Sequence, residues 1–219
     1  MKRGAKSRAA AGAGRTVLVT GGTVRIGKAI SSALSAAGWR VLASSHRAGA
    51  GADIVADLSR KGGADRLFAE AKALCGGEAP YAIVNNAALF SGGARKLAAV
   101  NLDAPLRLAE LMASEGGGPR CVVHILDAAV LPGAETPPGR NEAYTLSKMR
   151  LLERTSEDAR LYAGRLRVNA VAPGPVIAPA AVREKATATP FGRPAPNDVA
   201  AAVAYLLSAP TVTGCIIPV

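Results

Sequence analysis

One segment near the start of the chain constrains the fold more than any other: a glycine-bearing turn between a predicted strand and a predicted helix. The apolar, β-branched run Thr16–Val19 predicts a buried strand, residues 20–27 form the turn, and residues 28–34 continue as a helix. Glycine lets the backbone turn tightly and approach a ligand closely, while the free N–H groups and the positive dipole end of the helix attract phosphate. The segment therefore predicts a site for a dinucleotide pyrophosphate, although its spacing differs from G-x-G-x-x-G and a plain strand-to-helix connection is the alternative. The residues of the turn that we expect to contact the dinucleotide are Gly21, Arg25, Ile26 and Gly27.

Apolar β-branched runs alternate with helical patterns along the rest of the chain. The predicted strands are residues 16–20, 40–44, 53–56, 82–85, 121–126, 167–172 and 215–219. The predicted helices are residues 25–37, 64–74, 97–114, 142–163 and 197–208. Strands that are apolar on both faces and joined by helices indicate a parallel sheet covered on both sides. The predicted fold class is α/β, a Rossmann-type doubly wound parallel sheet of about seven strands with helices on both faces and a ligand crevice at the carboxyl ends of the strands.

Composition limits the class of protein. The chain has 219 residues, of which 49% are hydrophobic and 20% charged, so one Rossmann-type domain over residues 16–219 is expected. No apolar stretch reaches the roughly 18 residues of a membrane span, and the start of the chain lacks the apolar centre of a secretory signal. The expectation is a cytoplasmic protein with no membrane partner.

The cysteines indicate neither a disulfide framework nor a zinc site. Cys75, Cys121 and Cys215 are widely spaced, odd in number and contain no C-x-x-C pair. We expect them to be reduced and mostly buried, and we expect no metal.

The net charge of +11 is concentrated at the start of the chain. Residues 1–15 hold five basic and no acidic residues, and the rest holds 22 basic against 16 acidic residues, a net charge of +6. The segment 1–15 is rich in Ala and Gly and is expected to be a disordered basic tail, with an organelle-targeting segment and a nucleic-acid arm as alternatives. Aromatic residues make up only 4% of the chain, so the stacking surface of a single-strand binder is missing and no nucleic-acid partner is expected.

The residues after the second predicted strand favour a phosphorylated cofactor. His46 and Arg47 stand where a cofactor with an unphosphorylated ribose would meet an acidic residue. No acid is present, and Arg47 together with Arg25 would attract a 2′-phosphate, because guanidinium pairs well with phosphate oxygens. The sequence therefore favours NADPH over NADH, with a solvated loop charge as the alternative for Arg47.

Polar or small residues also follow the next two predicted strands. Asp57 and Leu58 stand where a carboxylate can accept a hydrogen bond from an adenine amino group, but a helix cap explains Asp57 equally well. Asn85 either contacts the cofactor or ties neighbouring strands together. Asn86 and Ala87 are small enough for close approach to a flat ligand, and we expect them to contact the cofactor.

Tyr144 and Lys148 are four residues apart and therefore share one face of a predicted helix. A cation within ~6 Å stabilises phenolate and lowers the pKa of a tyrosine from its usual value near 10. The pair can thus form a positioned general acid, whereas an unrelated surface Tyr and Lys are the alternative.

Together these patterns resemble the short-chain dehydrogenase/reductase family, in whose order they fall across residues 16–219. The segments that carry the resemblance are residues 20–27, 85–88, Asn101, residues 144–148, Pro173-Gly174, residues 191–194 and residues 212–214. The resemblance implies that Tyr144 is the proton donor, that Lys148 binds the nicotinamide ribose and tunes Tyr144, and that Asn101 supports a proton relay. It also implies that Pro173 and Gly174 lie near the nicotinamide. A homodimer or homotetramer with the Tyr144 helix at its interface is the family expectation.

One position departs from the family's usual pattern. Asp127 stands where the family carries a catalytic serine, which resembles the pteridine reductase and dihydromonapterin reductase branch. Arg25 and Phe90 match that branch too, and the resemblance implies that Arg25 contacts cofactor phosphate and pterin while Phe90 stacks the pterin against nicotinamide. Alternatively, Phe90 packs on the core and Asp127 caps the following segment. In an enclosed cleft beside Tyr144, Asp127 would have reason to hold a proton at neutral pH.

These residues predict a reductase that uses NADPH to transfer hydride to a C=N bond of a pterin-like small molecule. Asp127 and Tyr144 are expected to supply the proton to the nitrogen, and Arg25, Phe90, Asp127 and Tyr144 are expected to contact the substrate. A general carbonyl reductase and a catalytically quiet NADPH-binding sensor or subunit are the alternatives. The interval from Asn86 to Asn101 is short for the family, so we expect the helix that carries Asn101 to lose its first turns.

Overall fold

Seven parallel strands form one sheet in the computed structural model, which describes residues 14–49, 51–134, 139–176 and 193–219. Their spatial order is β3-β2-β1-β4-β5-β6-β7. The strands are β1 (Thr16–Val19), β2 (Arg40–Ser45), β3 (Ile54–Val55), β4 (Ala82–Asn85), β5 (Arg120–Ile125), β6 (Leu166–Ala172) and β7 (Ile216–Pro218). This order confirms the Rossmann-type α/β prediction.

Helices connect the strands and lie on both faces of the sheet. They are α1 (Arg25–Ala36), α2 (Gly63–Leu74), α3 (Ala94–Ala98), α4 (Ala104–Ser114), α5 (Glu142–Leu161) and α6 (Pro196–Ser208). A π-helical turn, Ala99–Asp103, joins α3 to α4, and a short 3₁₀ turn, Ala128–Val130, follows β5. Residues 1–13 of the predicted tail, Pro137, Pro138, Phe191 and Gly192 lie outside the described residues.

The apolar core forms two layers, one on each face of the sheet. Successive residues of a strand point to opposite faces of the sheet and so belong to different layers. Leu18 packs with Leu67 of α2 and Leu108 of α4, whereas Val17 packs with Ile30 of α1 and Val203 of α6. Every residue of β4, β5 and β6 is buried. Because both faces are covered, these strands are apolar on both sides, as the continuous runs in the sequence predicted.

Strand order reverses at β1, which lies between β2 and β4. Crossovers on opposite sides of such a point leave a crevice at the carboxyl ends of the strands. The backbone N–H of Thr20, just after β1, donates to the carbonyl of Val84 in β4 (3.0 Å), so the two strand ends stay together. The predicted ligand crevice is therefore located above β1 and β4.

The elements agree with the predicted ones except near their ends. The helix predicted at residues 97–114 begins at Ala94 and contains the π turn, so seven residues precede Asn101 and the helix keeps its early turns. Residues 94–96 are exposed and show no helical spacing of apolar residues, so the sequence pattern did not indicate that the helix begins there. Strand β3 has two residues instead of four, and α5 ends at Leu161.

The structure also bears on membrane-spanning helices and on the cysteines. Among the described residues, none of the helices has the length and apolar character required to cross a bilayer. The three cysteines are free; Cys121 is buried, and Cys75 and Cys215 are half-buried.

Candidate active site

The turn after β1 is shaped so that only glycine fits at two positions. Gly21 has a φ of +61°, which side chains rarely tolerate. A Cβ on Gly27 would lie 2.1 Å from the carbonyl oxygen of Gly21 and 2.5 Å from Nδ2 of Asn86. Helix α1 therefore begins directly against the turn, and Ile26 lies half-buried between them.

The N-terminus of α1 is suited to an anion. Its first turn contains no acidic residue, and the N-cap residue Val24 makes no side-chain cap. The first N–H groups of a helix have no intrahelical acceptor, and the helix dipole is positive there. The close-packed glycine turn and this uncapped helix end fit a dinucleotide pyrophosphate.

Side chains after β1 and β4 hold the turn in place. The hydroxyl oxygen of Thr20 accepts hydrogen bonds from the backbone N–H groups of Asn86 and Ala87, both at 3.0 Å. The side-chain amide of Asn86 donates to the carbonyls of Thr20 (3.0 Å) and Gly21 (3.1 Å). Asn86 thus shapes the turn with its side chain, and Ala87 packs against Gly21. Thr20 was not predicted as a site residue, although its position at the end of β1 could have indicated this role.

Cationic side chains flank the turn. Arg25, the first residue of α1, is exposed and has a φ of +52°, a conformation that is rare outside glycine and often found at functional sites. His46 and Arg47 follow β2, are both exposed, and are joined by a hydrogen bond from Nε of Arg47 to Nε2 of His46 (3.1 Å). Ser45 orients the loop by accepting the N–H of Arg47 at its hydroxyl (3.1 Å).

Asp57 is engaged by its own loop. Its carboxylate accepts the backbone N–H of Ser59 (2.9 Å), the hydroxyl of Ser59 (2.6 Å) and Nε of Arg60 (3.3 Å). The hydrogen bonds from Ser59 hold the pKa of Asp57 below its usual value, with a smaller contribution from Arg60. This geometry favours the capping alternative for the side chain of Asp57. Leu58 is buried in the core, so a contact with adenine would have to use its backbone.

Asn85 ties strands and helices together. Its side-chain amide approaches Nδ1 of His124 in β5 (3.2 Å) and the carbonyl of Pro105 in α4 (3.4 Å). Asn85 is buried beneath the crevice, in agreement with the alternative that it links neighbouring strands.

Tyr144 and Asp127 meet at the carboxyl end of β5. The Tyr144 hydroxyl donates to Oδ2 of Asp127 at 2.9 Å, and Oδ1 of Asp127 accepts the N–H of Ala129 at 3.0 Å. Asp127 thus caps the 3₁₀ turn and also contacts the phenol, which combines both sequence interpretations. Tyr144 itself is only 3% exposed.

A third residue, Arg140, completes this cluster. Its guanidinium forms an ion pair with Oδ2 of Asp127 and lies 5.1 Å from the centroid of the Tyr144 ring. Asp127 thus contacts a cation and a phenol at the same carboxyl oxygen. Arg140 was missed because it lies in an irregular loop before α5, where its position four residues before Tyr144 is only a weak signal.

Phe90 covers the phenol from the crevice side. Its ring stacks on the ring of Tyr144, with centroids 5.1 Å apart and an angle of 28° between the planes. Phe90 is 62% exposed, so the alternative that it packs on the core is wrong.

Lys148 lies deep beside this cluster. Its ammonium donates to the carbonyl of Ile125 at 2.6 Å, and burial lowers the pKa of Lys148 to about 8, while Asp127 partly counteracts this. The pKa of Tyr144 is raised by burial and then by Asp127, and Arg140 opposes both. The expected lowering of the Tyr144 pKa is therefore wrong for this arrangement, because burial and Asp127 outweigh Arg140.

Asn101 lies in the π turn and is fully buried. Its side chain accepts the N–H of Leu89 (2.8 Å) and donates to the carbonyl of Leu89 (2.8 Å) and to the hydroxyl of Ser147 (3.3 Å). Ser147 in turn donates to the carbonyl of Tyr144 (2.6 Å). Asn101 therefore connects the segment that carries Phe90 to the helix that carries Tyr144.

Pro173 and Gly174 follow β6 at the same end of the sheet. The carbonyl of Pro173 accepts the N–H of Ala128 (2.8 Å), and the N–H of Gly174 donates to the carbonyl of Val219 (2.7 Å). This segment is thus adjacent to Asp127. Residues 177–192 beyond it lie outside the described residues.

In the part of the chain that the structure describes, no three His, Cys, Asp or Glu side chains are grouped so that they could hold a metal ion.

Comparisons with known proteins agree with this arrangement. Residues 24–219 match a family model described as enoyl-(acyl carrier protein) reductase. Similar solved structures include FolM alternative dihydrofolate reductase 1 from Brucella canis in complex with NADP, at a TM-score of 0.82 and 30% identity over 96% of this chain and 93% of that one. FolM alternative dihydrofolate reductase 1 from Brucella suis in complex with NADP is similar at a TM-score of 0.79 and 30% sequence identity, over 93% of this chain and 92% of that one.

A 3-alpha-hydroxysteroid dehydrogenase from Pseudomonas sp. B-0831 in complex with NADH is also similar, at a TM-score of 0.76 and 27% identity over 93% of this chain and 94% of that one. No curated protein sequence matches the chain significantly. Because the family model matches most of the chain and two similar structures are 30% identical to it over more than nine-tenths of both chains, the chain belongs to the short-chain dehydrogenase/reductase family of oxidoreductases.

Proposed function

We propose that this protein is an NADPH-dependent reductase that transfers hydride to a C=N bond of a pterin, dihydropterin or dihydrofolate-like ring. The observation that carries the proposal is the contact between the Tyr144 hydroxyl and Asp127 beneath the ring of Phe90. A proton donor, a carboxylate and an exposed aromatic ring at the mouth of one crevice suit a flat heterocycle whose ring nitrogen must be protonated.

The proposed cofactor site extends from the glycine turn to Lys148. The turn and the N-terminus of α1 would hold the pyrophosphate, and Arg25, His46 and Arg47 would surround the 2′-phosphate. NADPH supplies the hydride when it is bound. The presence of NADP in the two FolM structures supports this choice of cofactor. Of the remaining predicted contacts, Asp57 and Asn86 would act mainly by shaping the loops around the cofactor.

In this proposal, Tyr144 delivers the proton and Lys148 supports it. Tyr144 would donate its proton to the substrate nitrogen as the hydride reaches the neighbouring carbon, and the charge of Lys148 would stabilise the phenolate that remains. Asp127 would orient the phenol by accepting its hydrogen bond. Asn101 would keep the Tyr144 helix aligned with the Phe90 segment.

The substrate class is proposed from Phe90, Asp127 and Arg25 together with the dihydrofolate reductase named for the FolM structures. A second candidate is a carbonyl reductase, because the similar hydroxysteroid dehydrogenase acts in the same family with a different class of substrate. In that case Tyr144 would protonate a carbonyl oxygen and Phe90 would only line the entrance.

The decisive experiment measures NADPH oxidation with dihydrobiopterin, dihydromonapterin, dihydrofolate and a panel of simple ketones. We expect turnover with at least one reduced pterin. Turnover of ketones alone would overturn the pterin proposal, and tight NADPH binding without turnover would identify a sensor. The substitution Tyr144→Phe should lower kcat by about 10²–10⁴-fold and leave NADPH affinity unchanged, because it removes one proton and little volume. Equal rates in the two proteins would reject Tyr144 as the acid.

We also propose that the protein forms a homo-oligomer through α5. Leu146 and Met149 on this helix are 57% and 44% exposed, although both are large and apolar. Light scattering after size-exclusion chromatography should give the mass of a dimer or tetramer, and a monomer at micromolar concentration would contradict this proposal.

A further inference from the structure

Arg140 lies against both Asp127 and Tyr144, and no motif in the sequence singles it out. Its guanidinium pairs with Oδ2 of Asp127, the same oxygen that accepts the Tyr144 hydroxyl. It also lies 5.1 Å from the centroid of the Tyr144 ring. One oxygen atom of Asp127 thus joins the cation to the phenol.

We propose that Arg140 is a positioning residue of the reductase, which holds in place the Asp127 oxygen that accepts the Tyr144 hydroxyl and balances the negative charge left on the phenol oxygen. This inference rests on the proposed function, in which Tyr144 donates the proton.

The burial of the pair distinguishes it from a solvated surface contact. The side chains of Arg140 and Asp127 are 20% and 17% exposed, whereas those of Arg150 and Glu153, another ion pair, are 63% and 53% exposed. Exposed pairs contribute little because water screens them, but a shielded pair keeps more of its attraction. Removing one partner of a shielded pair leaves an uncompensated charge.

The charge balance of the proton transfer explains why the site needs Arg140. When the O–H bond of Tyr144 breaks, the proton moves to the substrate nitrogen and the electron pair stays on the phenol oxygen. That phenolate would lie about as far from the Asp127 carboxylate as the present hydrogen bond, 2.9 Å, and two like charges repel strongly there. Arg140 contacts both groups, and the buried Lys148 adds a second positive charge near Asp127.

The test compares Arg140→Gln and Arg140→Lys with Arg150→Gln as the matched control. Arg140→Gln should lower kcat about tenfold with little change in KM, because the lost cation no longer balances the charge that forms on the phenol oxygen as the proton leaves. Arg140→Lys keeps the charge and should recover most of the rate, whereas Arg150→Gln should match the wild type. A rise in KM at constant kcat would mean that Arg140 binds substrate and would overturn the proposal.

Two further experiments separate this inference from the proposed function. In the Asp127→Asn variant, adding Arg140→Gln should lower kcat much less than Arg140→Gln does in the wild type. An equal fall in kcat in both backgrounds would show that Arg140 does not act through Asp127. Infrared difference spectra against Asp127→Asn need no turnover, and the stretching bands of the Asp127 carboxyl group should shift in Arg140→Gln because the contact with the guanidinium is lost. Identical bands in the two proteins would overturn the inference even if pterins are reduced, and shifted bands would sustain the contact even if no substrate is turned over.

Discussion

The ring of Phe90 stacks on the ring of Tyr144, with centroids 5.1 Å apart, and so covers the buried phenol with a side chain that is itself mostly exposed. In the proposed reaction the flat substrate enters beside Tyr144 and stacks on the exposed part of Phe90. Such offset stacking is worth about 0.5–1.5 kcal/mol beyond area burial.

Replacing Phe90 should therefore affect substrate affinity more than chemistry. Phe90→Leu keeps an apolar side chain but removes the stacking ring, and we expect KM for a pterin to rise about threefold to tenfold with a smaller change in kcat. Phe90→Tyr keeps the ring and serves as the control. Steady-state kinetics with one pterin and one ketone measure the effect, and an equal rise in KM for both would show that Phe90 fills space without stacking the substrate.

The glycine turn leads to a second prediction. A Cβ at position 27 would lie 2.1 Å from the carbonyl of Gly21, so Gly27→Ala must displace the turn that we assign to the pyrophosphate. We expect NADPH affinity to fall at least tenfold and the free energy of unfolding to fall by about 1–3 kcal/mol, the usual cost of overpacking.

Gly116→Ala is the matched control, because a Cβ there meets no atom within 4 Å. Isothermal titration with NADPH and urea unfolding of both variants make the comparison. Wild-type affinity in Gly27→Ala would show that the cofactor does not use this turn.

Cofactor selectivity should depend on Arg47. This residue is exposed after β2 and is held only by His46 through its side chain among the described contacts. Arg47→Asp places a carboxylate where it repels a 2′-phosphate and can accept from an unphosphorylated ribose, so the ratio of kcat/KM for NADPH over NADH should fall at least tenfold. Arg66→Asp makes the same charge change on the exposed face of α2 and should leave the ratio unaltered. An unchanged ratio in Arg47→Asp would mean that Arg47 points away from the ribose.

The fold and the outline of the site could be predicted because they depend on short-range patterns. Alternating apolar runs give the strands and helices, and the glycine turn and the Tyr144–Lys148 spacing are local features of the sequence. Strand and helix ends were less accurate, as at Ala94, where the exposed first turn of the helix carries no apolar period.

Long-range contacts made by irregular segments could not be predicted in the same way. Arg140 reaches Asp127 because the loop between them returns to the end of β5, and no periodic pattern encodes that path. Likewise, Asp57 and Asn86 use their side chains on neighbouring backbone groups, and the sequence alone left open whether those groups or a ligand would receive the hydrogen bonds.

His124 provides a prediction for stability. It is completely buried in β5, where burial and the charge of Lys148 lower its pKa to about 3. The amide of Asn85 lies 3.2 Å from Nδ1 of His124, so a proton added at Nδ1 would face another donor. The folded protein therefore keeps this ring neutral, whereas the unfolded chain protonates it near the usual histidine pKa of about 6.5.

Between those two values the unfolded state binds more protons than the folded state, so stability must fall as the pH falls through this window. Lowering the pH from about 7 to about 5 should cost the wild type about 2 kcal/mol through this residue alone. His124→Gln cannot titrate, so its free energy of unfolding should lose about 2 kcal/mol less than that of the wild type over the same interval, whatever its packing cost at neutral pH. His46→Gln replaces the exposed histidine and keeps His124, so its free energy of unfolding should fall by as much as that of the wild type. Urea unfolding at both pH values measures these differences, and identical losses in wild type and His124→Gln would show that the buried ring does not resist protonation.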